Sequence, residues 1–130
     1  MKRVQTGFTL MEVMVTVVIV GILAGLAYPA YVDHMRAARR ADGHAALMHL
    51  SALMESYFTE NNSYAGATTA NVGLTGTASP QGFYTLSITT ATATAFTVTA
   101  APAGAQVWDT CGNLTLTNTN VRGPNANCWQ

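Results

Sequence analysis

The sequence predicts an α+β fold, a long N-terminal helix packed on a small antiparallel β-sheet. Three observations predict it: an uncharged apolar run from Val13 to Val32, a later apolar stripe at helical spacing, and alternation of apolar residues with threonine after Tyr84. At 130 residues the chain has room for one domain. The apolar run takes roughly the first quarter, so the part that folds on its own is near the small end for a packed core.

The chain opens with a short basic leader, Met1 to Gly7, which passes into Phe8-Thr9-Leu10-Met11-Glu12 and then apolar sequence as far as Ala30. Val13 to Val32 matches the roughly 20 residues that a helix needs to cross a bilayer. Lys2 and Arg3, with no acid before Glu12, place the N-terminus on the cytoplasmic side and the remainder outside. Glu12 is the anomaly. An unpaired charge in hydrocarbon costs at least about 2.5–3.5 kcal/mol, and the segment contains no partner for it, so the partner is expected on another molecule. Snorkelling of Glu12 to the membrane interface is the simpler alternative. An ordinary secretory signal cut after Gly25-Leu26-Ala27 is a second one, opposed by Glu12 and by the way the helical pattern continues past Ala30.

That continuation is carried by Leu47, Leu50, Met54 and Tyr57, with Phe58 beside them, while His49, Glu55 and Glu60 fall off the stripe. A helix from Phe8 to about Glu60 would be roughly 80 Å long, more than a core of this size can cover, so its first half must be buried by something else. Pro29 removes the bond to the carbonyl of Gly25, and Gly21 and Gly25 are weak helix formers. A kink or local melting is expected there, with close helix packing as the plainer reading of the glycines.

After Asn61-Asn62-Ser63, the residues Gly66, Gly73, Gly76, Pro80 and Gly82 punctuate a long connection without periodicity. Tyr84, Leu86 and Ile88, then Phe96, Val98 and Ala100, then Leu114 and Leu116, alternate with threonine or serine and suggest a meander packed on the helix stripe. Cys111 and Cys128 are the only cysteines, and an even count at close spacing in a chain that enters a membrane reads as one disulfide formed outside the cytoplasm. Two free thiols or half of a metal site are the alternatives; no second pair and no neighbouring histidine in the sequence supports them. Trp108 and Trp129 are expected to be packing residues, with Gly123 and Pro124 at a turn that pins the tail to the sheet edge.

The formal net charge is zero, but Lys2, Arg3, Arg36, Arg39 and Arg40 flank the apolar run and only Arg122 lies beyond it. Asp42, Glu55, Glu60 and Asp109 outnumber that arginine, which argues against a phosphate-binding surface. No phosphate loop, nucleophile elbow or zinc signature occurs. His44 and His49 lie about 140° apart around a helix and do not make a metal pair; Glu55 and Glu60 fail in the same way as catalytic acids. All four read as solvated helix-face residues. No catalytic residue, metal or cofactor is expected, and the chain is not expected to be an enzyme.

Gly7-Phe8-Thr9-Leu10-Met11-Glu12 resembles the prepilin cleavage and methylation motif of the type IV pilin family, with Gly7 ending the leader and Glu12 as the fifth mature residue. Pro29 falls where that family has its helix-breaking proline. The short leader and Phe8 resemble the type IVa branch, and Cys111 with Cys128 is similar to the disulfide that bounds the family's D-region. The stretch from Tyr57-Phe58 to Tyr64 and the ending around Asp109, Cys111 and Cys128-Trp129 look most like the PilE-type minor pilins. The resemblance implies the type IV pilin fold divided as leader 1–7, membrane and fibre-core helix 8–30, and globular domain 31–130, the last made of an amphipathic helix half to about 60, a loop to about 82 and a sheet with the disulfide-bounded region thereafter.

The resemblance further implies cleavage between Gly7 and Phe8 by a prepilin peptidase that also N-methylates Phe8, residence in inner-membrane lipid, and extraction by an inner-membrane assembly platform into an extracellular helical polymer of pilin subunits. Methylation keeps the positive charge of the amine, so Glu12 of one subunit can pair with the Phe8 amine of its neighbour. A structural subunit serving adhesion, twitching motility or uptake is the expected function, as a minor more than a major pilin. Some relatives are competence pilins that bind DNA through a basic stripe; this chain has only Arg122 there, so DNA is not expected among its partners. A pseudopilin of a type II secretion system is the remaining alternative, ranked lower because of the C-terminal cysteines.

Overall fold

A computed structural model describes residues 7–130; Lys2, Arg3 and the rest of the leader before Gly7 lie outside the described residues. One helix, α1 (Leu10–Asn61), spans 52 residues. It starts where Thr9 accepts a hydrogen bond from the Glu12 N–H at 3.2 Å, an N-cap that satisfies one of the open donors of the first turn. It ends where Asn62 turns to φ 52° and donates to the Phe58 carbonyl at 2.7 Å, the left-handed stop that asparagine tolerates. Gly21 to Pro29 remain helical instead of melting, since proline removes one bond and leaves the turns on either side to continue.

The chain divides between Met35 and Arg36 into two compact units. In the first, the apolar side chains are uncovered: Phe8 is 84% exposed and Leu26 is 72% exposed. By length and composition this part of α1 can cross a membrane.

The second unit holds the core. Here β1 (Tyr84–Ala91), β2 (Phe96–Pro102), β3 (Leu114–Thr117) and β4 (Arg122–Gly123) form one antiparallel sheet in sequence order, with short 3-10 turns at Gly104–Gln106 and Ala126–Trp129. The register pairs Leu86 with Ala100 and Ala100 with Leu114, so one inward-facing row crosses the sheet; a bulge follows Ile88. Leu47, Leu50 and Met54 of α1 are fully buried together with Tyr84, Phe96, Val98 and Leu114. Period-2 and period-3.6 patterns thus meet in two layers.

Gly43 sets the closeness of that contact. A Cβ there would stand 2.9 Å from Tyr84 Cδ2 and 3.0 Å from Leu114 Cδ1, so only glycine lets the helix approach the sheet at this point. The connection from Asn62 to Phe83 is held by buried Tyr64, Ala67 and Val72, and by Asp42, whose carboxylate accepts from Ser79 Oγ and from the Gln81 N–H at 3.0 Å.

β4 was not expected. It has two residues, too few for alternation to show, and Gly123 stands in the ladder opposite Thr115 because a Cβ would run into the Thr115 hydroxyl. The turn placed at Gly123 and Pro124 is therefore the end of a strand, and the Gly123–Pro124 peptide is cis.

Candidate functional site

The N-terminal motif lies on α1 where the helix begins. Phe8, Glu12, Val13 and Thr16 line a shallow hollow of about 310 Å³. Thr9 and Glu12 occupy the two positions of a capping box, yet only half of it is made: Thr9 accepts the Glu12 N–H, while the Glu12 carboxylate makes no hydrogen bond or ion pair among the described residues. Thr16 Oγ1 bonds back to the Glu12 carbonyl at 3.0 Å and the Val13 carbonyl at 2.8 Å, which hides a hydroxyl that apolar surroundings would leave unpaired. Pro29 sits in the same unit, exposed on the helix.

The second set of side chains lies around the C-terminal cysteines. Cys111 and Cys128 are joined by a disulfide with a Cα separation of 5.8 Å, closing a loop of 17 residues that stabilises the unit by about 3 kcal/mol on the chain-entropy estimate. Just before it, Asp109 takes a two-pronged bond from Arg40, at 2.5 Å from Nη2 and 2.8 Å from Nε. Gln106 is fully buried beside it, and the two N–H groups of its Nε2 are shared among three acceptors, the Asp109 carboxylate at 3.0 Å, the Tyr84 hydroxyl at 3.1 Å and the Arg36 carbonyl at 3.0 Å. Burial alone would raise the Asp109 carboxyl, but the hydrogen bonds and charge of Arg40, aided by the Cys111 N–H and Gln106, outweigh it and hold the group below its ordinary value. Burial pushes the Tyr84 hydroxyl up.

The tail carries a stack. His44 lies flat on Trp129 with ring centroids 4.4 Å apart, and its Nε2 is 2.9 Å from the Cys128 carbonyl. Arg122 reaches over the same indole, 5.3 Å from its centroid, and Trp129 Nε1 donates to the Gly123 carbonyl at 2.8 Å. Burial lowers the His44 pKa, the bond to the Cys128 carbonyl opposes the shift, and the charges of Arg122 and Arg40 add to it.

Two sequence readings need correction. His44 is half-buried against the tail instead of solvated, because the fold returns residues 84 positions away to its side. Trp108 is not a packing residue; it is 76% exposed, while Trp129 packs. Neither the Arg40–Asp109 pair nor the Gln106 hub was singled out from sequence, where polar residues 69 positions apart give no pairing signal.

Residues 29–115 match the family described as "Type IV minor pilin ComP, DNA uptake sequence receptor", and residues 2–28 match the "Prokaryotic N-terminal methylation motif". The chain belongs to the type IV pilin family. Its helix and four-stranded sheet are the fold of solved pilins: a type IV pilin from Shewanella oneidensis superposes with TM-score 0.56 at 28% identity, covering 73% of this chain and 98% of that one. The non-core minor pilin PilV of Neisseria meningitidis gives TM-score 0.58 at 20% identity, covering 74% and 95%. Among curated relatives, the type IV major fimbrial protein FimA of Dichelobacter nodosus is 51% identical over 43 residues, 33% of this pilin and 27% of that protein. The type II secretion system core protein G of Aeromonas hydrophila is 40% identical over 63 residues, 48% of this pilin and 44% of its own length. The pilin thus matches about a quarter to under half of the length of these two relatives.

Proposed function

We propose that this pilin is a minor subunit of a type IV pilus, cut between Gly7 and Phe8 by a prepilin peptidase, N-methylated at Phe8, held in the inner membrane by residues 8–30 and then assembled into an extracellular fibre. The observation that carries the reading is Glu12, a carboxylate without a partner among the described residues at the head of an exposed apolar helix half. Packing these helices side by side buries their apolar faces, and the Phe8 amine of a neighbour neutralises Glu12 only in the correct register. The Cys111–Cys128 disulfide and Pro29 serve the same assembly, one by fixing the outer domain and the other by giving the helix a weak turn. Glu12→Ala is expected to be processed and membrane-inserted but missing from sheared surface fibres. Incorporation at the wild-type level would refute the pairing.

A second reading, a DNA receptor displayed on the fibre, is favoured by the printed description of the family that matches residues 29–115. Against it, Arg39, Arg40 and Arg122 of the second unit are engaged with protein groups: Arg39 lies over Phe83 at 4.7 Å, Arg40 is paired with Asp109, and Arg122 covers Trp129. Full-length protein in detergent is expected to show no DNA retention at low salt; retention that weakens as salt rises would move the assignment to the receptor. The likeness to the secretion core protein G supports a pseudopilin as a third use of the same N-terminal motif.

A further inference from the structure

The turn that carries Val107 and Trp108 is tied to α1 close to the end of the apolar run. One contact of the Gln106 amide is the Arg36 carbonyl at 3.0 Å, and Asp109 is paired with Arg40. Between these two buried anchors the Asp109 N–H donates to the Gln106 carbonyl at 2.9 Å, closing the turn. Val107 and Trp108 at its tip are 51% and 76% exposed, and the Trp108 indole N–H has no hydrogen-bond partner among the described residues. Gly104, Ala105 and Thr110 are exposed beside them. The outer surface of the turn carries no charge, because its one carboxylate, Asp109, is turned inward to Arg40.

The position of the Arg36 anchor decides what this surface meets. The uncharged run ends at Val32, and four residues of α1 lead from it to Arg36, a rise of about 6 Å. The headgroup layer outside the hydrocarbon of a bilayer is about 5–8 Å thick. A turn bonded to Arg36 is therefore held at the level of the headgroups of any bilayer that the run crosses. Tyr28 and Tyr31 precede this level on the helix, and Trp108 adds a third ring. Tyrosine and tryptophan gather at membrane interfaces because an apolar ring with one polar N–H or O–H suits the boundary.

We propose that, while the chain is anchored in the inner membrane, the Val107–Trp108 turn docks into the headgroup layer of the outward-facing leaflet, with the indole N–H donated to lipid oxygens. The inference rests on the membrane-anchored stage proposed above. An indole and one valine form too small a contact to recruit a free protein, but an inserted helix makes the docking intramolecular, where a weak contact suffices. The two buried anchors hold the turn in one conformation, so docking orders little that was free. The lack of charge on the turn selects the lipid interface over an acidic or basic protein partner. Docked in this way, the turn pins the globular unit to the leaflet until extraction into the fibre peels it off.

The test is the full-length chain reconstituted into phosphatidylcholine vesicles, with and without lipid brominated near the headgroup end of its acyl chains. Trp108 emission is read as the difference between the wild type and Trp108→Phe, since Trp129 is common to both. Most of that emission is expected to be lost in the brominated vesicles and to resist iodide added to the water, with the same loss when phosphatidylglycerol is included and salt is raised. Emission quenched by iodide but not by bromine would mean that the turn faces water, and emission protected from both would mean that a protein surface covers the indole. A loss that needs phosphatidylglycerol and disappears with salt would mean that arginines make the contact. Each of these overturns the proposal while leaving the anchored helix intact. Flotation in alkaline carbonate reads the anchor separately, and vesicles that lose the wild-type chain there remove the membrane reading and the proposal together. Val107→Asp puts a charge on the tip without touching either anchor; it is expected to abolish the quenching by bromine and leave flotation unchanged, and quenching at the wild-type level would also overturn the proposal.

Discussion

The two units of this pilin use one helix in opposite ways. Beyond Arg36, α1 buries Leu47, Leu50 and Met54 against its own sheet; before Met35, its apolar side chains from Phe8 to Tyr31 are all uncovered. The second unit resolves its polar groups internally, with Asp42 clamped by Ser79 and Gln81 and Asp109 by Arg40. The first leaves Glu12 unanswered among the described residues. An uncovered apolar helix half whose first carboxylate makes no contact among the described residues fits a membrane-anchored and then pilus-incorporated protein.

The comparison breaks most visibly at buried charge. Arg40→Ala strands Asp109 without its counter-ion and is expected to destabilise the globular unit by about 3–5 kcal/mol, read as a lowered midpoint in urea. That is a large share of what a small domain has. Gly43→Ala pushes a methyl against Tyr84 and Leu114 and is expected to cost about 1–3 kcal/mol in the same assay, because both neighbours are fully buried ring or branched carbons with little room to move.

Acid should act through two groups in the second unit, with the same sign. His44 has its pKa lowered from 6.5, so the unfolded chain takes up the proton first; its contribution is complete above about pH 6.5 and is lost as pH falls toward the folded value. Asp109 has its pKa lowered from 3.8, so its contribution is complete above about pH 3.8 and disappears as pH drops through the folded value. Melting temperature against pH is expected to stay level at neutral pH and fall in two stages, and His44→Gln should remove the upper stage alone. The smallest effect is expected at Leu23, where Leu23→Ala touches no packed neighbour in the chain and should move the urea midpoint by less than about 0.5 kcal/mol in stability while weakening fibres.

Much of this division is legible in the residues. The stripe of Leu47, Leu50, Met54 and Tyr57 and the alternation around Leu86, Val98 and Leu116 signal the layers because burial imposes a period on side chains. The N-terminal motif is legible because a lone acid in an apolar run violates membrane energetics. β4 escapes because two residues carry no period, and the burial of Asp109, Gln106 and His44 escapes because polar pairing across 69 to 84 residues depends on a topology that local pattern does not encode. Trp108 shows the same limit from the other side. Hydrophobicity predicts burial only on average, and here two buried polar neighbours hold an indole out in solvent.

The measurement that bears most directly on the claim that the first unit is completed by other subunits is the intact mass of the chain recovered from the cell surface. A chain beginning at N-methylated Phe8 is expected, retaining the apolar helix half, Glu12 and the new amine that would pair with it. A chain beginning at Tyr28 would mean that the apolar half is discarded as a secretory signal, and the assembly role of Glu12 would go with it.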